Sequence, residues 1–290
     1  MARRCPDVFA LGDGGKDSKH VVMTSVEGDT QWLVGTIVGG GAEDAPPSFT
    51  PETGGNSDQG VDYYAAKTGG PTQLSPDSRR LLFAFNGWGG GVTGSPCGRY
   101  DIIPRELTLR DGFLHIAPIA EIATIRKNIT TTQHSGPATR TLIRSGNQLD
   151  LRLNCTLNGA TVGNVSLDVL SSADGKQFAR YGFDLSTSTF YISSQGLKTT
   201  TSKPQRPYTT QPQWISITVL VDGGVCESFT DSSVSMATSP RQEPFPNGAV
   251  TTRSFLPSAT PFHLNGGGRG AFLTVPAGVG CSLLAADLKL

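Results

Sequence analysis

Cysteine and histidine are common ligands of transition metals, and cysteine and serine are common catalytic nucleophiles. The five cysteines are widely spaced, without a Cys-x-x-Cys pair or a histidine at zinc-ligand spacing. The four histidines are scattered, and no serine or cysteine lies in a nucleophile-elbow sequence. The glycine-rich segment 12–17 lacks the spacing of a phosphate-binding loop. The sequence therefore predicts no metal and no other cofactor.

The balance of positive and negative charges argues against some classes of binding partner. Lys plus Arg and Asp plus Glu number 24 each, so no net field attracts the chain to nucleic acid or to an anionic membrane surface. The basic first residues are not followed by the apolar core of a signal peptide. Three N-glycosylation sequons, at Asn128, Asn154 and Asn164, suit a secreted or vacuolar location for the full-length protein.

The composition favours strands and turns over helices. The chain has 36 Gly and 19 Pro, together with short alternating or apolar runs rich in Val, Thr and aromatic residues. In the first part these runs are 20–26, 30–39, 62–68 and 79–88, and residues 103–118 read as two strands around an Asp111-Gly112 hairpin turn. Residues 120–128 fit one or two turns of helix with Ile122 and Ile125 facing inward. We predict an all-β fold.

The amino-acid composition changes near residue 129. Residues 129–140 are polar and contain Gly and Pro, which predicts a linker. Strand-sized runs with turn residues between them follow from residue 141 to the end, a pattern typical of a β-sandwich.

Five segments, in this order, resemble glycoside hydrolase family 32, the β-fructofuranosidases. The first looks like the part of the family's Trp-Glu-Cys-Pro-Asp-Leu-Phe motif that begins at its Cys, and the last is similar to a strand pair of the family's C-terminal domain. The segments are Cys5-Pro-Asp-Val-Phe9, Asp58-Gln-Gly-Val-Asp-Tyr-Tyr-Ala-Ala66, Arg79-Arg-Leu-Leu-Phe-Ala-Phe-Asn-Gly-Trp88, Ile103-Pro-Arg-Glu-Leu-Thr-Leu109 and Val221-Asp-Gly-Gly-Val-Cys-Glu-Ser-Phe229.

The resemblance implies a five-bladed β-propeller followed by a β-sandwich. Residues 1–128 would then be the last blades of the propeller, residues 129–140 the linker and residues 141–290 the sandwich. Because the Cys-Pro-Asp motif lies well inside a full-length family member, we expect the printed chain to begin in mid-propeller.

The resemblance also implies a retaining glycosidase mechanism with two carboxyl groups about 5 Å apart, one nucleophile and one acid/base. The sequence contains neither the family's Asn-Asp-Pro-Asn-Gly nucleophile segment nor its sugar-holding Arg-Asp-Pro motif. Arg4 occupies the acid/base position, directly before Cys5. A guanidinium keeps its proton at neutral pH and cannot act as a proton shuttle. No catalytic carboxylate of the family is therefore intact in this chain.

Three residues match substrate-binding positions of the family. Asp58 resembles an acid near the leaving sugar, and Tyr64 and Trp88 look like aromatic walls of the sugar pocket. Each has a structural interpretation too: Asp58 could cap a turn, and Tyr64 sits in a predicted strand, where tyrosine is more often core. Glycines around Trp88 predict a loop, which favours a functional role for it.

The absence of the carboxylates leaves two explanations and three function classes open. The chain is either an incomplete member of the family, which we favour, or a degenerate paralogue. In its complete form it would cleave sucrose or a fructan, with hydrolysis and fructosyl transfer undecided. The alternatives are a non-catalytic carbohydrate-binding or regulatory relative and a structural β-sandwich module.

Overall fold

The computed structural model describes most of the chain. The described residues are 4–12, 19–26, 29–39, 46–58, 63–69, 79–86, 100–172, 174–195, 198–199, 210–223, 225–233, 248–255 and 270–289. They divide into two compact units, residues 4–119 and residues 120–289. Trp88, one of the predicted sugar-pocket residues, lies outside the described residues. Within them, no helix is long and apolar enough to cross a membrane.

The first unit contains two antiparallel sheets. The strands of the first sheet follow one another in chain order: β1 (Arg4–Leu11), β2 (Lys19–Val26), β3 (Asp29–Val38) and β4 (Ser48–Asn56). Alternation explains which face is buried: Val21 and Met23 of β2 and Trp32 and Val34 of β3 are almost fully buried, and the residues between them are more exposed.

The second sheet contains β5 (Tyr64–Gly69), β6 (Arg80–Asn86), β8 (Arg105–Arg110) and β9 (Phe113–Pro118), and β7 (Tyr100–Asp101) pairs with β6. The predicted Asp111-Gly112 hairpin is confirmed, since Arg110 pairs with Phe113 across it. Asp111 and Gly112 have φ values of 51° and 78°, the left-handed conformation that a tight hairpin turn requires at both positions.

The second unit begins with a 3₁₀ helix, Ala120–Ile125, which confirms the predicted helical turns and buries Ile122. Its strands are β10 (Arg126–His134), β11 (Ala138–Ser145), β12 (Gln148–Thr156), β13 (Asn164–Ser171), β14 (Phe178–Asp184), β15 (Thr189–Gln195), β16 (Lys198–Thr199), β17 (Trp214–Asp222), β18 (Val225–Ser232), β19 (Gly248–Phe255), β20 (Gly270–Val275) and β21 (Gly280–Leu288).

These strands form two sheets around one core. The larger sheet has the order β10-β21-β12-β17-β18-β19-β16, and the smaller one has the order β11-β20-β13-β14-β15. Alternate residues of both sheets, such as Leu151 of β12 and Leu167 of β13, belong to one buried apolar cluster. Two sheets that share a core in this way form a β-sandwich. The all-β fold class is thus confirmed.

The segment 129–140 is not a linker. Most of it lies in β10 and in the first residues of β11, and only residues 135–137 connect the two strands. The polar, Thr-rich sequence suggested irregular structure, but among the described strands β10 lies at the edge of its sheet and pairs with β21. An exposed edge strand needs no apolar face, and Thr favours the extended backbone.

A disulfide joins two neighbouring strands of the larger sheet. Cys155 of β12 and Cys281 of β21 lie directly opposite each other, with their sulfurs 2.09 Å apart. The sequence left the pairing of the cysteines open. Cys226 of β18 is a reduced, fully buried thiol in the same core, and burial raises its pKa to about 12.

Candidate functional site

The predicted acid/base position lies at the irregular start of β1. Arg4 is the first residue of this strand and pairs with Ser25, but the register with β2 shifts between Arg4 and Asp7. Cys5, inside the shift, has a left-handed φ of 51°. Such bulges redirect side chains and are frequent next to active sites. The backbone is therefore irregular directly after the predicted acid/base position.

Strand β5 has the same kind of start. Its first residue, Tyr64, is 7% exposed, and the register with β6 shifts between Tyr64 and Lys67. Ala65, inside this shift, has a φ of 53°. The structure thus places Tyr64 in the core of the first unit, next to a bulge. Its proposed contact with a sugar stays a prediction.

Asp7 joins β1 to β5. One oxygen of its carboxylate, Oδ2, accepts hydrogen bonds from the Thr68 backbone N–H at 2.7 Å and from the Thr68 hydroxyl at 2.8 Å. The Lys67 ammonium donates to the backbone carbonyl of Pro6. The first strands of the two sheets are therefore held together beside their irregular starts.

Arg80 brings a positive charge to this contact. Its guanidinium lies 4.6 Å from the centre of the Phe9 ring, and its Nη1 is 3.5 Å from the Thr68 hydroxyl oxygen. Burial lowers the pKa of Arg80, and the negative charge of Asp7 opposes that shift. Arg79, the other arginine of this motif, forms an ion pair with Glu106 at 2.7 Å.

Asp58 lies in a buried ion pair. Its Oδ2 is 2.8 Å from Arg105 Nη1, and the two side chains are 1% and 0% exposed. The Arg105 guanidinium also lies 4.1 Å from the centre of the Tyr63 ring and 3.5 Å from the Ser57 carbonyl oxygen. A charge that is buried this deeply needs such partners. The role of Asp58 near a leaving sugar stays a prediction. The contact given for its carboxylate is the ion pair with Arg105.

Sequence reasoning did not single out Arg105 or Arg80 as site residues, although both lie in motifs that it used. A local signal existed for Arg105, because Arg105 and Leu107 alternate as buried residues of β8. An arginine at an inward position of a strand needs a charged or hydrogen-bonding partner that is also buried. The partner, Asp58, lies 47 residues earlier in the chain, so pattern analysis of β8 alone could not find it.

The described contacts of these polar side chains connect strands of the first unit and do not form a pair of catalytic carboxyl groups. Asp7 and Asp58 each accept from a donor on a strand of the second sheet, and neither is paired with a second carboxylate in these contacts. Retaining hydrolysis needs two carboxyl groups on either side of the scissile bond. Among the described residues, no group of three or more His, Cys, Asp or Glu could hold a metal ion.

Comparison with known proteins finds a family model that matches most of the second unit. Residues 120–252 match the model of the C-terminal domain of glycosyl hydrolases family 32. A sucrose-6-phosphate hydrolase of Vibrio alginolyticus is 37% identical over 100 residues, which are 32% of this chain and 19% of that protein.

Solved structures share the fold of the chain at low identity. An exo-inulinase of Aspergillus awamori matches 99% of this chain with a TM-score of 0.70 and 16% identity. A sucrose-6-phosphate hydrolase of Lactobacillus gasseri matches with a TM-score of 0.67 and 15% identity. A β-fructofuranosidase of Bombyx mori, solved with sucrose, matches with a TM-score of 0.64 and 16% identity. The chain spans 57%, 55% and 54% of these three proteins, respectively.

Proposed function

We propose that the complete form of this chain is a glycoside hydrolase of the β-fructofuranosidase type, because residues 120–252 resemble the C-terminal domain of glycosyl hydrolases family 32. The match over residues 120–252 is the observation on which the proposal rests. The substrate would be sucrose or a fructan, the sugars that related proteins are named for or hold. The bond cleaved would be an O-glycosyl bond, with retention at the anomeric carbon.

We propose further that the first unit, within residues 1–128, is the last part of a five-bladed propeller and that residues 141–290 form the body of the C-terminal sandwich. Two features support the propeller. Each sheet of the first unit contains four consecutive antiparallel strands, apart from the short β7, as a propeller blade does. The first strands of the two sheets, β1 and β5, contact each other through Asp7 and Thr68, as the inner strands of adjacent blades would.

The residues of the printed chain do not supply the chemistry of this reaction. The nucleophile motif and the sugar-holding motif are absent from the 290 residues, and Arg4 occupies the acid/base position. A guanidinium can neither donate a proton to the leaving oxygen nor attack the anomeric carbon. We infer that the nucleophile belongs to sequence outside these 290 residues.

Fructose release tests this proposal. The assay compares the printed chain, its Arg4→Glu variant and a chain extended through the upstream coding sequence, with sucrose and inulin as substrates. We expect no release from the first two, because Arg4→Glu restores at most one of the two required carboxyl groups. The extended chain, in which a Glu replaces Arg4 before Cys5, should release fructose. Release by the printed chain, or a stop codon directly upstream of Met1, would contradict the proposal.

A second function is a non-catalytic carbohydrate-binding or regulatory relative. It is favoured by Arg4 at the acid/base position and by the hydrogen bonds that occupy Asp7 and Asp58. Calorimetric titration of the printed chain with sucrose and with a fructan distinguishes the two: saturable binding without turnover, together with a verified start at Met1, supports the second function.

A further inference from the structure

Asn154 lies on the outer face of the larger sheet of the sandwich. Strand β12 alternates here, with Leu153 and Cys155 in the core and Asn154 and Thr156 exposed. The residues directly opposite Asn154 are Ser216 on β17 and Ser282 on β21. Both neighbours are small, so the face beside Asn154 has room for a substituent.

Residues Asn154-Cys155-Thr156 form an N-glycosylation sequon, and we propose that Asn154 is an N-glycan acceptor. The donor would be an oligosaccharide carried on a lipid diphosphate. A bond forms between Asn154 Nδ2 and the anomeric carbon of the first sugar, and the bond from that carbon to the diphosphate oxygen breaks. The amide loses one proton, and the lipid diphosphate leaves with the bonding electron pair.

The disulfide that contains the middle residue of this sequon supports the proposal. Disulfides persist in oxidising compartments, and N-glycosylation takes place in the secretory pathway, which is such a compartment. Cys281 lies 126 residues after Cys155, so Asn154 can be modified before its strand is closed by the disulfide. The sugar would then remain on the exposed face when β12 pairs with β21.

An exposed aromatic ring lies near the site. Trp214 is opposite Thr156 on β17, which places it diagonally across from Asn154, and 41% of it is exposed. Diagonal neighbours in a sheet lie within reach of long side chains, and an indole face suits the apolar side of a sugar ring. A glycan on Asn154 would therefore have an apolar surface to rest on.

Asn128 differs from Asn154 in its surroundings. Its side-chain amide donates to Asp287 at 2.7 Å, and the same carboxylate forms an ion pair with Arg144 at 2.8 Å. A sugar on Asn128 would stand against this ion pair. Asn164, at the exposed start of β13, has no such bond among the hydrogen bonds described for this strand. We therefore expect higher occupancy at Asn154 than at Asn128.

The test is site-resolved mass spectrometry of the full chain secreted by a eukaryotic host behind a cleavable leader. Peptide N-glycosidase F in ¹⁸O-labelled water converts each glycosylated Asn into a labelled Asp. We expect the label at Asn154 in the wild type and in Thr156→Ser, which preserves the sequon, and no label in Asn154→Gln or Thr156→Ala. An unlabelled Asn154 in the secreted wild-type chain would overturn the proposal.

Cys281→Ser tests the order of events, because it removes the disulfide and leaves the sequon intact. Equal occupancy at Asn154 in this variant and in the wild type supports modification before disulfide formation. A severalfold rise in occupancy would show that the disulfide competes with the transfer and would overturn that part of the inference.

Discussion

Removal of the Cys155–Cys281 disulfide should destabilise the second unit by several kcal/mol. The bond closes a loop of 126 residues, and the chain-entropy relation assigns a loop of this length about 5 kcal/mol at 25 °C. The perturbation is the double variant Cys155→Ala with Cys281→Ala. Cys226→Ala is the matched control, because it removes one fully buried sulfur from the same core without opening a loop. A buried substitution of this kind costs about 1 kcal/mol.

The assay is urea-dependent hydrogen exchange of the full chain, read on peptides from β12 and β17. The loop term is the cost of the double variant minus twice the cost of Cys226→Ala. We expect it to lie between about 2 and 5 kcal/mol, the range measured for native disulfides. A loop term below about 1 kcal/mol would refute the reasoning, because it would mean that the unfolded chain keeps these strands together without the bond.

Two further perturbations follow from buried groups. Asp58→Asn should destabilise the first unit by about 3–5 kcal/mol, because it leaves the Arg105 charge buried without its carboxylate, and Arg105→Met in the same chain should recover most of that loss. Hydrogen exchange of β5 and β8 measures both, and an Asp58→Asn cost below about 1 kcal/mol would contradict a buried pair. The pKa of Cys226, raised to about 12 by burial, favours the neutral thiol in the folded chain. Stability should therefore be fully present below pH 9 and fall as the pH rises from 9 towards 12, by about 1.4 kcal/mol per pH unit. A pH profile of unfolding that is the same in Cys226→Ala would contradict this assignment.

Sequence patterns predicted the secondary-structure elements that depend on residues close together in the chain. The hairpin around Asp111 and Gly112 followed from two residues that tolerate a left-handed backbone, and the helical turns at 120–125 followed from the spacing of Ile122 and Ile125. Alternation identified strands such as β12, whose inward residues form the sandwich core. Two of the motifs also include residues of β1 and β5, and each of these strands has a register shift near its start.

Pairing between distant segments could not be read from the sequence. Strand β10 looked like a linker because its exposed residues carry no periodicity, and only the pairing with β21, more than 140 residues later, makes it a strand. The same limit applies to the partner of Cys155 and to the Asp58–Arg105 pair. In each case the sequence around one residue or strand indicates that it needs a partner, and only the three-dimensional fold shows which distant segment supplies it.

Arg4 replaces the expected acid/base carboxyl group, and the backbone around it can be described separately from that replacement. The backbone irregularity at Cys5 and the Asp7–Thr68 hydrogen bonds are both present in a chain that has Arg4 at the proposed acid/base position. We expect a substitution at Arg4 to change the side chain at this position and to leave the Asp7–Thr68 hydrogen bonds in place. Since a retaining glycosidase needs a second carboxyl group, Arg4→Glu alone should leave the printed chain inactive. Activity of the Arg4→Glu variant would require a nucleophile among these 290 residues and would overturn the assignment of that group to sequence outside them.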